Sequence, residues 1–205
     1  LPNKYDNSLT GARYFWRSDC GTYRAKDWYA SVRMHSERTI GFEFTNNENT
    51  LANFSADGAV ILMQNSKEFE NIFAYWDWRK VPGVTSYDDG KPIKCDDSIE
   101  GKKNFSNHVG GLVSEGVMAA TMELDRDGLY ALKSTFFFDD AVVCLGADVL
   151  ATSDHFKHVT TAIDQIHLQG KVTTGDNWLH HADRGYISLD SAPINVTTEL
   201  QKGKW

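Results

Sequence analysis

The sequence has little of several features that mark other classes of protein. Its 205 residues contain four prolines and three cysteines, and no apolar run, residues 141–145 among them, is longer than five residues, the length of a strand. Such a run is too short to span a bilayer, so no membrane-spanning segment is expected. Cys20, Cys95 and Cys144 lack a metal-ligand spacing, and their odd number weighs against a disulfide framework.

The sequence also lacks an excess of basic residues. Its formal net charge is −7, whereas proteins that bind nucleic acids or acidic glycans usually present a basic surface, so no nucleic-acid partner is expected. It contains no G-x-S-x-G elbow for a serine nucleophile. Gly110-Gly111 lacks the lysine and the helix start of a phosphate-binding loop. Nucleophilic catalysis and a phosphate-binding glycine loop therefore have no support.

What the sequence does contain is mostly strand. Residues 27–35 alternate strictly between two faces, and 58–63 form a short apolar run. A hairpin is predicted for 116–124 and 129–138, because Gly128 in the intervening turn adopts positive φ at low cost. Further strands are predicted at 141–146, 158–168, 177–181 and 184–189.

One segment has a different period. Phe69, Ile72, Phe73 and Trp76 lie at helical spacing, which predicts a short helix over residues 66–76, ended by Pro82-Gly83. No linker, repeat or low-complexity tract marks a boundary. We therefore expect an all-β fold, a large antiparallel multi-stranded β-sandwich with at most one or two short helical turns, as a single domain over residues 1–205.

A polar segment interrupts this apolar pattern at residues 41–59. Glu43, Asn46, Asn47, Glu48 and Asn49 fall within seven positions, and Asp57-Gly58 follows. Three explanations suit such a cluster: turn chemistry, a cation site, or the polar wall of a cleft that binds sugars.

The acidic and aromatic residues further along also allow two interpretations each. Asp77 with Asp88 and Asp89, or Asp96 and Asp97 with Glu100, offers oxygens to calcium, but such clusters also occur as solvated loops at sheet edges. The rings of Trp76 and Trp78 are suited to stack on sugars or to pack in a core.

Several motifs in order resemble one enzyme family. They are N-x-E-N at 46–49 with D-G nine residues after its Glu, W-[DE]-W at 76–78, P-G-[VT]-T at 82–85, and F-F-F-D with V-C-L-G at 136–146. This combination is similar to the central, supersandwich-like β-domain of the family 8 polysaccharide lyases, which include chondroitin AC, hyaluronate and xanthan lyases. The similarity is strongest to chondroitin AC lyase and covers residues 14–170.

The resemblance implies an activity and a partner domain. Family members cleave uronic-acid-containing polysaccharides by β-elimination, using Asn, His, Tyr and Arg side chains on an α/α toroid that precedes the β-domain. That toroid is missing from these 205 residues, so the chain alone is expected to be inactive. The implied partners are an acidic polysaccharide and the toroid of the same protein, and the implied location is secreted or periplasmic, in a bacterium.

The resemblance also assigns candidate residues. Glu43 and Asn46 are expected to support catalysis from the cleft wall, Glu43 by orienting an arginine or tyrosine of the toroid. Asn47, Glu48, Asn49, Trp76 and Trp78 are expected to contact substrate, with Glu48 and Asn49 also shaping the loop.

A departure from the family pattern concerns calcium. No cofactor is expected to be required, but some relatives carry W-E-W-D with calcium ligands, which makes Asp77, Asp88 and Asp89 candidate metal ligands. Here the stretch ends in Arg79, whose guanidinium would occupy the place of the cation. The alternative to an enzyme portion is a non-catalytic β-sandwich that binds carbohydrate or serves as a scaffold.

Overall fold

The structure is a computed structural model that describes residues 9–44, 46–93, 95 and 103–203. The chain divides into two compact units, one formed by residues up to 67 and 77–165, and the other by residues 68–76 and 166 onwards. A single domain over residues 1–205 stays a prediction.

The first unit consists of antiparallel strands. In chain order they are β1 (Gly11–Phe15), β2 (Cys20–Arg24), β3 (Tyr29–Arg33), β4 (Ala59–Met63), β5 (Thr85–Asp88), β6 (Val109–Ser114), β7 (Val117–Arg126), β8 (Leu129–Phe137), β9 (Val142–Ala151) and β10 (His158–Thr161). β1 to β4 pair in sequence order as one sheet, β6 to β9 pair in sequence order as a second, and β5 pairs with β10. The predicted strands at 27–35, 58–63 and 141–146 are confirmed as β3, β4 and β9.

The two four-stranded sheets enclose one core. Their inward positions alternate with outward ones, as in the burial of every second residue along β7. The first sheet contributes Tyr23, Ala30 and Val32, all at most 1% exposed, and the second contributes Met118 and Leu124 among others. Two sheets that pack face to face around shared side chains form a β-sandwich, which confirms the predicted all-β class.

The predicted hairpin around residues 125–128 is also confirmed. β7 and β8 are joined by Asp127 and Gly128, which have φ of 55° and 84°. Two consecutive residues with positive φ match the handed twist of paired strands, and Asp and Gly are the residues that adopt this conformation most readily. The second turn of the same kind, Glu115-Gly116, joins β6 to β7 with φ of 47° and 84°.

The predicted strand over residues 158–168 is shorter than expected. β10 ends at Thr161, and two more bonds follow, from the Ala162 amide to the Val84 carbonyl and from the Gly83 amide to the Ala162 carbonyl. The segment that leads into the partner strand β5 turns at Pro82-Gly83. There the Pro82 carbonyl accepts a hydrogen bond from the amide of Val60 in β4 instead. Because proline also has no N–H to donate, the ladder cannot continue past this point.

The second unit contains a small three-stranded sheet. Its strands are β11 (Thr173–Thr174), β12 (Trp178–His181) and β13 (Arg184–Ile187), and the predicted hairpin at 177–189 is confirmed as β12 and β13. Within the same unit Arg184 and Glu68 form an ion pair of 2.9 Å, and both side chains are at most 5% exposed.

The predicted helix over residues 66–76 is wrong. A single 3₁₀ turn at Lys67–Phe69 forms there, and it is one of two in the described residues, the other being Ala52–Phe54. Asn71 has a φ of 57°, which interrupts any continuous right-handed helix. Ile72 bonds back to Phe69 and Tyr75 to Ile72, so the three-residue spacing reflects successive turns that bury one face.

We expect Gly83→Ala to destabilise the first unit strongly. Gly83 has a φ of 79°, and a Cβ there would lie 2.6 Å from the backbone nitrogen of Val60 and 2.8 Å from the Gly58 carbonyl oxygen. The combined backbone strain and clash should lower the free energy of unfolding by about 2–4 kcal/mol, measured by urea denaturation. Gly146→Ala is the control, because a Cβ at that position meets nothing within 4 Å. Equal stability of the two variants would contradict this account of Pro82-Gly83.

Candidate functional site

The polar segment between β3 and β4 forms an exposed loop whose shape depends on asparagine. Asn46, Asn47 and Asn49 all have left-handed backbones, with φ of 52°, 62° and 54°. Asparagine tolerates this conformation better than other side chains with a Cβ. The Asn49 side-chain amide donates to the Glu43 carbonyl oxygen at 3.1 Å, which closes the loop on itself. Glu43 and Asn46 to Asn49 are all solvent-exposed.

An apolar cluster holds the base of this loop. Phe42, Ala52 and Cys95 are buried together, with Phe44 and Trp78 packed against them. The Cys95 amide donates to the Thr50 carbonyl oxygen at 3.0 Å, which ties the loop to a distant part of the chain. The polar side chains therefore project from a packed base.

A buried ionic network lies beside that base. Arg126, at the end of β7, is 1% exposed and donates to the backbone and side-chain oxygens of Asn53, at 2.8 Å and 3.1 Å. Its guanidinium also lies 3.3 Å from Asp57 and 3.0 Å from Asp127. Burial alone would lower the pKa of Arg126, but the charges of Asp57 and Asp127 outweigh that effect and raise the pKa. Arg126 therefore stays charged and clamps the 3₁₀ turn that follows the loop.

His35 completes this network on the other side. Its Nε2 lies 2.9 Å from Asp57 Oδ1, close enough for an ion pair although the two atoms are not aligned as a hydrogen bond. His35 is fully buried, so it cannot reach a polysaccharide as a base. Neither His35 nor Arg126 is predicted from the sequence as a partner of the D-G motif, because their neighbours are distant in the chain.

Gly58, the second residue of that motif, leaves space for a lysine. A Cβ on Gly58 would lie 2.6 Å from the Lys133 side chain, whose ammonium donates to the carbonyls of Asp57 and Gly83 and to Thr85 Oγ1 at 2.6–3.0 Å. Burial lowers the pKa of Lys133 to about 8. The D-G motif therefore has a structural role. Asp57 forms an ion pair with Arg126, and the missing side chain of Gly58 leaves space for Lys133.

The two tryptophans of the W-D-W motif have different surroundings. Trp76 belongs to the second unit, is 8% exposed, and packs edge-to-face on Phe69 and Phe73 with centroids 6.0 Å and 5.6 Å away. Trp78 belongs to the first unit and is half-buried at the base of the polar loop. Sugar stacking by both rings stays a prediction, which the burial of Trp76 does not favour.

The three candidate calcium ligands are engaged by cations of the protein itself. Asp77 lies 3.0 Å from the Lys80 ammonium, and Arg79 lies 3.3 Å from Asp89 and 3.9 Å from Asp88. Across the described ranges, no three His, Cys, Asp or Glu side chains are gathered as a metal site. These residues therefore do not fit a calcium ion with Arg79 present. The alternative set, Asp96, Asp97 and Glu100, lies outside the described residues.

Cys20, Cys95 and Cys144, all within the described residues, form no disulfide, and Cys95 is buried whereas Cys144 is exposed. In the part of the chain that the structure describes, no helix is long and apolar enough to cross a membrane.

We expect Lys133→Met to change how stability depends on pH. The pKa of Lys133 is about 8 in the folded chain and about 10.4 unfolded, so between these values the unfolded state binds more protons. Stability due to this residue therefore rises as pH increases from 8 to 10, and is lowest below pH 8, where the buried ammonium is charged in both states. Urea denaturation at pH 7.5 and 9.5 should show that the free energy of unfolding of wild type rises with pH relative to that of Lys133→Met. An unchanged difference between the two proteins would contradict the buried, depressed lysine.

We expect Arg79→Asp to create affinity for calcium. The substitution removes the guanidinium and supplies a further carboxylate beside Asp88 and Asp89. Calcium should then raise the melting temperature of Arg79→Asp, whereas that of wild type should be the same with calcium or a chelator. Arg38→Asp, at another arginine that pairs with a carboxylate, is the control for the charge change. A calcium-dependent shift in wild type would show that Arg79 does not take the cation's place.

Comparison with known sequences is consistent with this architecture. Residues 10–205 match the model of polysaccharide lyase family 8, super-sandwich domain. The chain is 35% identical to chondroitinase-AC of Pedobacter heparinus over 93% of this chain and 29% of that protein. It is 27% identical to a hyaluronate lyase of Staphylococcus aureus over 90% of this chain and 25% of that protein.

Solved structures show the same relationship. A chondroitinase AC lyase determined in complexes with oligosaccharides superposes with a TM-score of 0.80 at 31% identity, covering 87% of this chain and 28% of that one. A chondroitin AC lyase of Streptomyces coelicolor in complex with chondroitin sulphate has a TM-score of 0.77 at 28% identity, covering 87% and 25%. The chain thus spans less than a third of each of these relatives. It belongs to polysaccharide lyase family 8 and corresponds to the super-sandwich domain of those enzymes.

Proposed function

We propose that this chain forms one wall of the substrate cleft of a lyase that cleaves uronic-acid-containing polysaccharide of the chondroitin or hyaluronan class. The observation that carries the proposal is the exposed loop with Glu43 and Asn46, closed by Asn49 and clamped at its base by Arg126. A rigid base beneath exposed polar side chains is what a site needs to hold a substrate in a fixed geometry. Relatives named chondroitinase-AC and hyaluronate lyase support this substrate class.

The reaction proposed is β-elimination. A base removes the proton at C5 of the uronate, the C4–O bond breaks, a C4–C5 double bond forms, and the leaving oxygen receives a proton. The C5 proton is weakly acidic because it lies next to a charged carboxylate, so neutralising that carboxylate in the transition state lowers the barrier. The chemistry as proposed uses protein side chains, and no cofactor is required.

The base is proposed to come from an α/α toroid elsewhere in the same protein. Within the sandwich, Glu43 acts as a positioning residue that accepts a hydrogen bond from an arginine or tyrosine of the toroid and fixes its orientation. Asn46 donates its side-chain amide to the substrate or to the same network. Asn47, Glu48, Asn49 and Trp78 contact the sugar chain. A secreted or periplasmic location follows from this proposal, because a polymeric substrate is met outside the cytoplasm.

We expect the 205-residue chain to be inactive and the longest natural chain that contains it to be active. Activity is measured on chondroitin and hyaluronan by the ultraviolet absorbance of the unsaturated uronate product. Activity of the 205 residues alone would overturn the assignment of the base to a toroid. If the longest natural chain binds polysaccharide without cleaving it, the alternative of a non-catalytic carbohydrate-binding sandwich takes its place.

In that active chain, Glu43→Gln should lower kcat by about tenfold to a hundredfold with little change in KM, since a positioning carboxylate acts through another residue. Glu43→Asp should recover part of the loss. Glu115→Gln, which removes an exposed carboxylate from the turn between β6 and β7, is the matched control and should leave kcat unchanged. Equal kcat in Glu43→Gln and the control would remove Glu43 from the proposed machinery.

A further inference from the structure

The outward face of the sheet formed by β1 to β4 carries three exposed positive charges. Side chains on β1 to β3 alternate, so Tyr14, Tyr23 and Val32 point into the core while every arginine of these strands points outward. We call this surface the arginine face and define it by Arg13, Arg24 and Arg33 together with Phe15 and Tyr29. All three arginines are solvent-exposed.

Strand register determines how the three arginines are spread over this face. Arg13 pairs with Thr22, Arg24 with Tyr29 and Arg33 with Cys20. Arg13 and Arg24 are therefore diagonal neighbours on adjacent strands, at a Cα separation of roughly 7–8 Å. Arg33 lies one strand further and at the opposite end of the sheet from Arg24, so the charges spread across the face as an extended track.

In the part of the chain that the structure describes, no carboxylate forms an ion pair with this track. β1 to β4 contain no aspartate or glutamate. Asp19, in the β1–β2 turn, is fully buried and accepts from Ser36, Thr39 and Arg38. The exposed Asp27 in the next turn is adjacent to Lys26.

The arginines of this face are also unpaired. Among the described residues, Arg13, Arg24 and Arg33 form no ion pair, as is also true of Arg17, whereas Arg38, Arg79, Arg126 and Arg184 all do. The face is therefore locally positive although the formal net charge is −7. A local surface of one sign attracts an oppositely charged polymer within about a Debye length, roughly 8–10 Å, regardless of charges further away.

Aromatic rings and short hydroxyls accompany the arginines. Tyr29 lies opposite Arg24, Phe15 ends β1 with 46% of its surface exposed, and Thr22 and Ser31 lie between the arginines. Guanidinium groups bind carboxylates and sulfates in a two-pronged geometry, and aromatic rings stack on the C–H faces of sugars. The set therefore matches the alternating charged and apolar surfaces of an acidic sugar chain.

We propose that the arginine face is a second binding surface for anionic polysaccharide, separate from the loop that carries Glu43. The choice of a polysaccharide over another polyanion rests on the proposed function. The row of Phe15, Cys20 and Arg33 lies at the end of the sheet from which residues 34–58, the segment that includes that loop, leave β3. Such a surface would keep a long substrate attached between cleavage events.

The test compares two triple variants of the 205-residue chain that remove equal charge. Arg13→Gln/Arg24→Gln/Arg33→Gln removes the arginine face, and Lys157→Gln/Lys171→Gln/Lys202→Gln removes three exposed lysines elsewhere. Binding of chondroitin sulfate and hyaluronan oligosaccharides is measured by isothermal titration calorimetry at low and high salt. We expect the arginine variant to bind about tenfold more weakly or worse, and the lysine variant within about twofold of wild type. Wild-type affinity should fall as salt increases, and thermal unfolding checks that both variants remain folded.

Several outcomes would overturn the proposal: no binding by wild type at low salt, equal losses in the two variants, or tighter binding of a DNA duplex of matched charge than of the oligosaccharides. The arginine variant is also placed in the longest natural chain and assayed for cleavage. On short oligosaccharides its kcat should match wild type, whereas on long polymer its KM should rise. If that longer chain cleaves nothing yet the face still binds, the proposed lyase function fails and the binding surface stands. If the longer chain cleaves polysaccharide but the face does not bind it, the proposed lyase function stands and the proposed binding surface fails.

Discussion

The charge of Arg126 is the constraint around which the first unit is arranged. A guanidinium that is 1% exposed must be matched by acceptors, because an unpaired buried charge costs several kcal/mol. Asp57, Asp127 and both oxygens of Asn53 supply them. These partners come from the β7–β8 turn and from the segment that ends the polar loop, so one side chain joins the second sheet to the chain leading into the first. The same Asp57 begins the D-G turn, whose glycine leaves space for Lys133.

The consequence for function is a loop whose backbone shape is held by Asn49 while the side chains of Glu43 and Asn46 are exposed to solvent. Glu43 and Asn46 have no role in the core, and the asparagines that crowd this segment are explained by three left-handed residues and one bond back to Glu43. Of the three explanations for the polar cluster, turn chemistry therefore accounts for its asparagines, whereas the carboxylate of Glu43 is available for a partner outside this chain. The cation explanation at residues 77–89 weakens for a similar reason, since Arg79 and Lys80 already hold those carboxylates.

Local sequence patterns anticipated much of the fold. Period-two alternation predicted β3, and the Asp-Gly pair predicted the β7–β8 turn. Both predictions succeeded because each pattern depends only on residues that are adjacent in the chain. Spacing failed at residues 66–76, where buried Phe69, Ile72 and Trp76 lie on successive turns interrupted by Asn71 at positive φ. The sequence pattern also failed to predict where β10 ends, because that end is set by Pro82-Gly83, in the segment that leads into the partner strand β5. The side chains that contact Asp57 could not be predicted from local patterns, because they are separated from it by tens of residues in the chain.

The sequence by itself determined the all-β class and the β7–β8 turn, because each depends on residue type and short spacing, and the resemblance of its motifs to known enzymes indicated the family. It could not determine how charge is distributed in space. A formal charge of −7 argued against a polyanion-binding surface, yet strand pairing turns Arg13, Arg24 and Arg33 outward onto one face, whose strands contain no aspartate or glutamate. Only the tertiary structure decided that, because alternation along each strand selects the face of a side chain, whereas register between strands decides which side chains share it.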